Sequence, residues 1–281
     1  MRPQLIKYYN RKGILKLTLN TFPYYADTQD LKNWTWKYDE NYGRIENFQR
    51  SKRDYTLGIG VAGNSLRLRD ALCDIFTEDI IAGEPGTLVV RDWELSCWLV
   101  EAEYDYKLQL DRKAKFKVIA ATKGWTRRTQ TSYNGIAGDG SGADTDLGRD
   151  YSYAEGILGR GYDYGYSVTE NHYAVIELGG VDNGFECLIY GPQVDPVIYL
   201  NGYPVKVNMA VAAGQTLKIT SNGSEKTIKL YSSSGIEEDA FVYRDKENTP
   251  FIGLGQRTEL TFGQIKFDFT TIERRSEPSW T

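Results

Sequence analysis

Trp98-Leu99-Val100-Glu101-Ala102-Glu103-Tyr104-Asp105-Tyr106-Lys107-Leu108-Gln109-Leu110 carries the clearest period in the chain. Every even position is apolar or aromatic, and after Leu99 the odd positions from Glu101 to Gln109 are polar. Side chains alternate between the faces of a strand, so this stretch predicts a long strand with one face on a core and one in water. Asp111-Arg112-Lys113 supplies a polar turn, and Phe116, Val118 and Ala120 alternate again on the way to Trp125. The whole reads as a long antiparallel hairpin, which sets the expectation of a mostly β protein.

Working back from the hairpin, Tyr55, Leu57, Ile59 and Val61 alternate as a strand with one buried face. The period then changes. After Asn64, a suitable N-cap, Leu68, Leu72, Ile75 and Phe76 recur at helical spacing, and Gly83 and Pro85 close the segment. No other convincing long helix is expected. Working forward, residues 134–171 hold no period and are rich in Gly and Tyr, as in Gly159-Arg160-Gly161-Tyr162-Asp163-Tyr164-Gly165-Tyr166. So long a connection inside one domain is unusual, which predicts two domains: 1–133 and 172–281, joined by 134–171. In the second, Tyr203, Val205, Val207, Met209 and Val211 alternate, Leu217 and Ile219 lead into Ser221-Asn222-Gly223-Ser224, and Ile265, Phe267 and Phe269 alternate near the end. Closely spaced strands with turn signals and no helical stretch predict a β-sandwich.

Composition narrows the function. A formal charge of −4, with 34 basic against 38 acidic residues and no Lys/Arg block, gives no footprint for nucleic acid. No apolar run is long enough to span a membrane, and the opening Met1-Arg2-Pro3-Gln4-Leu5 lacks the apolar core of a signal peptide. Synthesis and folding in a cytoplasm are therefore expected. Cys73, Cys97 and Cys187 are odd in number and far apart, which predicts buried thiols and no disulfide framework.

Several stretches invite a chemical reading. Gly58-Ile59-Gly60-Val61-Ala62-Gly63 fits G-x-G-x-x-G between a strand and a helix, where a dinucleotide-binding turn would sit. The strand alternation, however, runs straight through its first two glycines, and amphipathic strands follow the helix where a buried parallel strand would be needed. Structural glycines are the better reading. His172 is the only histidine and has no nucleophile motif near it in sequence, which argues against a triad and, with three scattered cysteines, against zinc or copper. Asp139, Asp144, Asp146 and Asp150 do not meet EF-hand spacing, and Glu237-Glu238-Asp239 reads as a wet turn. No catalytic, cofactor-binding or metal-binding residue is assigned.

The order of elements and several strings resemble the distal tail proteins of siphoviruses and related prophages. The strings are Gly43-Arg44-Ile45, Arg53-Asp54-Tyr55-Thr56-Leu57-Gly58-Ile59, Gly86-Thr87-Leu88-Val89-Val90 and Trp93-Glu94-Leu95-Ser96-Cys97 in the first half. In the second they are Pro196-Val197-Ile198-Tyr199-Leu200-Asn201-Gly202, Ala213-Gly214-Gln215-Thr216-Leu217-Lys218-Ile219 and Pro250-Phe251-Ile252-Gly253-Leu254. The family's N-terminal Phe-Asn-Gly string is missing, and Thr220-Ser221 and Gly263-Gln264 replace its usual residues. The resemblance implies an N-terminal β-rich domain with one helix and a long hairpin, and a C-terminal galectin-like β-sandwich. It further implies a non-enzymatic virion protein: a homo-hexameric ring between the tail tube protein and the baseplate or tail-fibre proteins. Trp98–Ala120 is the expected subunit contact, by edge pairing. The competing expectation is a carbohydrate-binding sandwich, suggested by the 21 Tyr and 6 Trp.

Overall fold

The computed structural model describes residues 6–50, 54–62, 65–104, 113–122, 124–135, 172–179, 183–223, 225–248 and 250–278. The expected N-cap Asn64, the turn 111–112, the connection 136–171 and its four aspartates lie outside them. The chain forms two compact units, residues 1–128 with 274–281, and residues 129–273.

The first unit contains β1 (Ile6–Tyr9), β2 (Leu15–Thr18), β3 (Tyr24–Gln29), β4 (Trp36–Asn41), β5 (Arg44–Arg50), β6 (Asp54–Val61), α1 (Ser65–Ala82), β7 (Gly86–Val90), β8 (Trp93–Tyr104), β9 (Lys113–Ala120) and the start of β10 (Trp125–Asn134). Seven of these strands pair antiparallel in the order β2-β1-β7-β8-β9-β6-β3. β7 alternates in and out, with Leu88 and Val90 buried. Helix α1 packs on β8 and β6. It lays Leu72 and Phe76 on the core, where Phe76 meets the rings of Tyr8 and Phe116 edge-on at 5.1 and 5.2 Å.

One polar group is taken into this packing. Asp79 of α1 is fully buried, and its carboxylate accepts a hydrogen bond from the Tyr8 hydroxyl at 2.7 Å and from the Arg11 backbone N–H at 3.1 Å. Burial, with Asp79 beside it, pushes the Tyr8 hydroxyl well above the ordinary tyrosine value. Two directed bonds satisfy the carboxylate and so tie the last turns of the helix to β1.

The expected hairpin exists as β8 and β9, but the buried face is not the one the even-numbered pattern indicated. Trp93, Leu95, Cys97 and Leu99 are the buried residues, while Trp98 is half-buried and Val100 is 43% exposed. Leu99 lies opposite Val118 and Glu101 opposite Lys117, so Val100 is an extra residue in β8. This β-bulge reverses the facing of everything after it, and Ala102 returns to the core side. On β9 the expected residues Phe116, Val118 and Ala120 are buried, and so is Trp125.

The second unit takes the rest of β10, then β11 (His172–Glu177), β12 (Gly184–Tyr190), β13 (Gln193–Val194), β14 (Val197–Leu200), β15 (Tyr203–Lys206), β16 (Ala210–Val211), β17 (Thr216–Asn222), β18 (Glu225–Tyr231), β19 (Glu237–Asp239), β20 (Arg257–Phe262) and β21 (Lys266–Arg275) as far as Glu273. One sheet runs β19-β18-β17-β12-β21 and a second β11-β20-β14-β15, with antiparallel pairing throughout. Their facing sides share one core, in which Cys187, Ile219 and Phe267 of the first sheet meet Ile198, Val205 and Phe262 of the second. Phe262 and Phe267 touch edge-on at 5.0 Å. This is a β-sandwich, and the protein as a whole is mostly β with one α-helix among the described residues.

Candidate assembly surfaces

Among the described residues, the hairpin of β4 and β5 is exposed along nearly its whole length. Tyr42 and Gly43, the two residues between the strands, have φ of 50° and 74°. Positive φ at both central positions makes a type I′ turn, whose twist suits a two-residue hairpin loop. Asn47, at φ 54°, creates a bulge: Lys37 pairs Gln49 and Asp39 pairs Glu46, leaving Tyr38 opposite both Asn47 and Phe48. Asn47 donates a hydrogen bond from Nδ2 to Asp39 at 3.1 Å.

The bulge keeps the apolar residues of both strands on one side. Trp36, Tyr38 and Glu40 share a face with Phe48 and Ile45, and the Tyr38 and Phe48 rings lie 6.1 Å apart. The other face carries Lys37, Asp39, Asn41, Arg44 and Glu46. Such a two-sided hairpin has the pattern of a sheet with one face on a core. Yet every residue from Lys32 to Phe48 is exposed, with Trp34, Tyr38, Ile45 and Phe48 at 54 to 60%. An isolated two-stranded hairpin is marginal in water, so this face has the character of a contact surface. Its legible signals are the alternation Trp34, Trp36, Tyr38 and the Tyr42-Gly43 turn, neither of which carries a known motif.

A second surface lies at the end of α1. Ile80 and Ile81 are 41% and 80% exposed there. The β1–β2 turn is fastened beside them by Arg11 to Glu84 at 3.2 Å and Lys12 to Glu78 at 4.0 Å, and it exposes Ile14 and Leu15.

The hairpin assigned to subunit contact, Trp98–Ala120, sits differently. β9 is paired by β6 on one side and β8 on the other, and residues 105–112 of the hairpin lie outside the described residues.

The residues considered for chemistry are placed as follows. Gly58 and Gly60 lie inside β6, whose neighbours β3 and β9 run antiparallel. A Cβ on Gly60 would fall 2.0 Å from the Tyr25 ring, and one on Gly58 2.6 Å from the Thr28 carbonyl oxygen. The two glycines let a ring and a neighbouring backbone close over the strand, while Gly63 lies outside the described residues. His172 stacks on Phe262 at 5.2 Å. Cys97 and Cys187 are buried, which pushes the Cys97 thiol up to about 12 and the Cys187 thiol up as well; Cys73 is half-buried. Glu237 accepts hydrogen bonds from Lys229 at 2.6 Å and Tyr231 at 3.0 Å, which lowers its pKa and raises that of Lys229. An open groove of 530 Å³ is lined by Asp30, Asp54, Glu101, Glu103, Lys115 and Lys117 among others, a charged face with cross-strand acid–base pairing. Among the described residues no group of His, Cys, Asp or Glu is arranged to hold a metal ion. No helix among them is long and apolar enough to cross a membrane.

No protein-family model and no curated protein matches the sequence. Solved structures do match, and they match from end to end. A chain of the phage P2 baseplate in its activated conformation with calcium superposes with a TM-score of 0.59 at 12% identity, over 99% of this chain and 100% of that one. The same baseplate with strontium gives 0.58 at 12% identity, over 98% and 99%. The Dit protein of phage SPP1, described as a paradigm of the hub adsorption apparatus in phages infecting Gram-positive bacteria, gives 0.58 at 8% identity, over 96% and 99%. This is the fold of the phage tail hub proteins. The match covers nearly all of both chains, so the likeness does not rest on a common sandwich alone.

Proposed function

We propose that this protein is a structural component of a siphovirus-like, non-contractile phage tail tip: a distal tail protein, forming a homo-hexameric ring between the tail tube and the baseplate or tail-fibre proteins, with no catalytic role. The observation that carries this reading is the end-to-end hub fold, matched over 96 to 99% of the chain. A ring needs two different surfaces on each copy that close on themselves, and the first unit exposes two apolar surfaces, on the β4–β5 hairpin and at the end of α1. The acids and lysines of the open groove face one another across strands, an arrangement suited to a stable surface.

Light scattering on the purified protein, followed by negative-stain imaging of its largest species, tests the reading. A six-fold ring with a central hole is the expected result; a species that stays monomeric at high concentration, alone and with tail tube protein, overturns it.

One observation favours a second reading, a carbohydrate-binding module. On the outer side of the second unit's four-stranded sheet, Tyr173 and Tyr199 both lie opposite Thr261, in one row across β11, β20 and β14. Both tyrosines are exposed, and aromatic faces of this kind stack on sugar rings. Loss of tyrosine fluorescence on titration with defined cell-wall glycans, abolished in Tyr173→Ala with Tyr199→Ala, is the result this reading requires.

A further inference from the structure

We infer that the outer face of the second unit's four-stranded sheet takes an extended, uncharged, β-linked pyranose chain, laid across the strands with Tyr173 and Tyr199 under alternate sugars. The inference rests on the carbohydrate reading of that face and narrows its ligand to one class.

Spacing sets the linkage. Tyr173 of β11 and Tyr199 of β14 lie on either side of Thr261 of β20, so they stand two strand spacings apart, about 10 Å. In an extended β-linked chain each sugar is turned over relative to the next, so alternate rings present the same face, and they recur at that distance. An α-linked chain curls and does not lay one face on both tyrosines. Leu260 and Phe262, the neighbours of Thr261 along β20, are buried, which puts Thr261 and both tyrosines on the outside. Tyr173 is 44% and Tyr199 40% exposed, and the short Thr261 between them is half-buried. The apolar C–H face of a sugar packs on such a ring, and a tyrosine loses little rotamer entropy in holding it.

Charge sets the substituents. The same face carries Glu177 opposite Arg257, Glu259 next after Thr261 on that side of β20, and Lys206 opposite Val197. Two acids and two bases leave no field of one sign to hold a phosphate or carboxylate polymer, whereas single groups of each kind suit hydroxyls, which both donate and accept. Glu259 stands closest to the row. Asn201 holds its backbone in both directions at 2.7 Å, and its side chain is exposed.

The opposite sheet repeats the row as Tyr190, Thr216 and Tyr231, with a different outcome. There Asp268 and Glu237 accept the two hydroxyls at 2.7 and 3.0 Å and the rings are half-buried, so that row serves its own sheet.

Isothermal titration of the full-length protein with chitohexaose, chitobiose, maltohexaose and a polyglycerol phosphate is the test. Chitohexaose is expected to bind. Chitobiose, which reaches one tyrosine only, and the α-linked maltohexaose are each expected to bind roughly tenfold more weakly, and the phosphate polymer not at all. Tyr173→Ala and Tyr199→Ala, both at exposed positions, are each expected to bring chitohexaose down to the affinity of chitobiose. Glu259→Gln, which keeps both rings, is expected to weaken chitohexaose roughly threefold. Chitobiose, maltohexaose or the phosphate polymer binding as well as chitohexaose, or a length effect that survives either alanine, overturns this inference and leaves the carbohydrate reading standing. A wild-type protein that binds none of the four overturns both.

Discussion

The two long hairpins of the first unit carry similar patterns and meet opposite fates. β8–β9 alternates apolar and polar residues, lays its apolar face on the core with α1 packed on it, and is flanked by β6 and β7. β4–β5 alternates them too, with a bulge at Asn47 and Phe48, and is exposed from Trp36 to Phe48. Alternation reports that a strand has one face to hide; it does not report who hides it. Two faces with the same pattern can therefore differ in exposure, and only the fold tells them apart.

The comparison breaks most visibly if single residues are removed from β8. Deletion of Ser96 turns Leu95 or Cys97 away from the core and is expected to leave the first unit unfolded, with the near-UV circular dichroism of its aromatic residues lost. Deletion of Val100 removes only the extra residue of the bulge. It leaves Leu99 and Ala102 in one phase and is expected to be tolerated. Equal effects of the two deletions would mean that the bulge does not set the register.

Truncation sharpens the contrast. Phe116→Ala, in the buried hairpin, is expected to cost about 3–5 kcal/mol in urea unfolding of the first unit. Asp79→Ala leaves the buried Tyr8 hydroxyl without its acceptor and is expected to cost about 1–3 kcal/mol; restoring most of that loss by adding Tyr8→Phe would identify the unsatisfied hydroxyl as the cause. Phe48→Ser, in the exposed hairpin, is expected to change the stability of the isolated chain by no more than about 0.5 kcal/mol while weakening assembly. A large loss of chain stability in Phe48→Ser would place the β4–β5 face against its own unit.

What was legible in the sequence was local. The strand through Gly58 and Gly60, helix α1, the β17–β18 turn after Asn222 and the alternating core of the second unit depend on neighbours a few residues away, and each is present. The phase of β8 was not legible, because both faces near the bulge are apolar: Leu95, Cys97 and Leu99 on one, Trp98 and Val100 on the other. Pairing with β9 decides between them, and that is a tertiary matter. Nor was it legible that residues 274–281 belong with the first unit, since nothing local marks a strand that passes from one unit to another. The candidate surfaces were not anticipated, since the alternation of Trp34, Trp36 and Tyr38 shows in the sequence but their exposure does not.

Residues 129–273 form a unit with the chain entering and leaving it, and the flanking segments are pinned together: the Arg127 and Arg275 guanidinium groups both lie over the Trp93 ring, at 5.2 and 5.5 Å. The second unit is thus a detour inserted into a first unit that closes on itself without it. A gene built this way gives recombination two joints, far apart in sequence yet adjacent in space, between which the second unit can be exchanged, enlarged or deleted while the first keeps its own core.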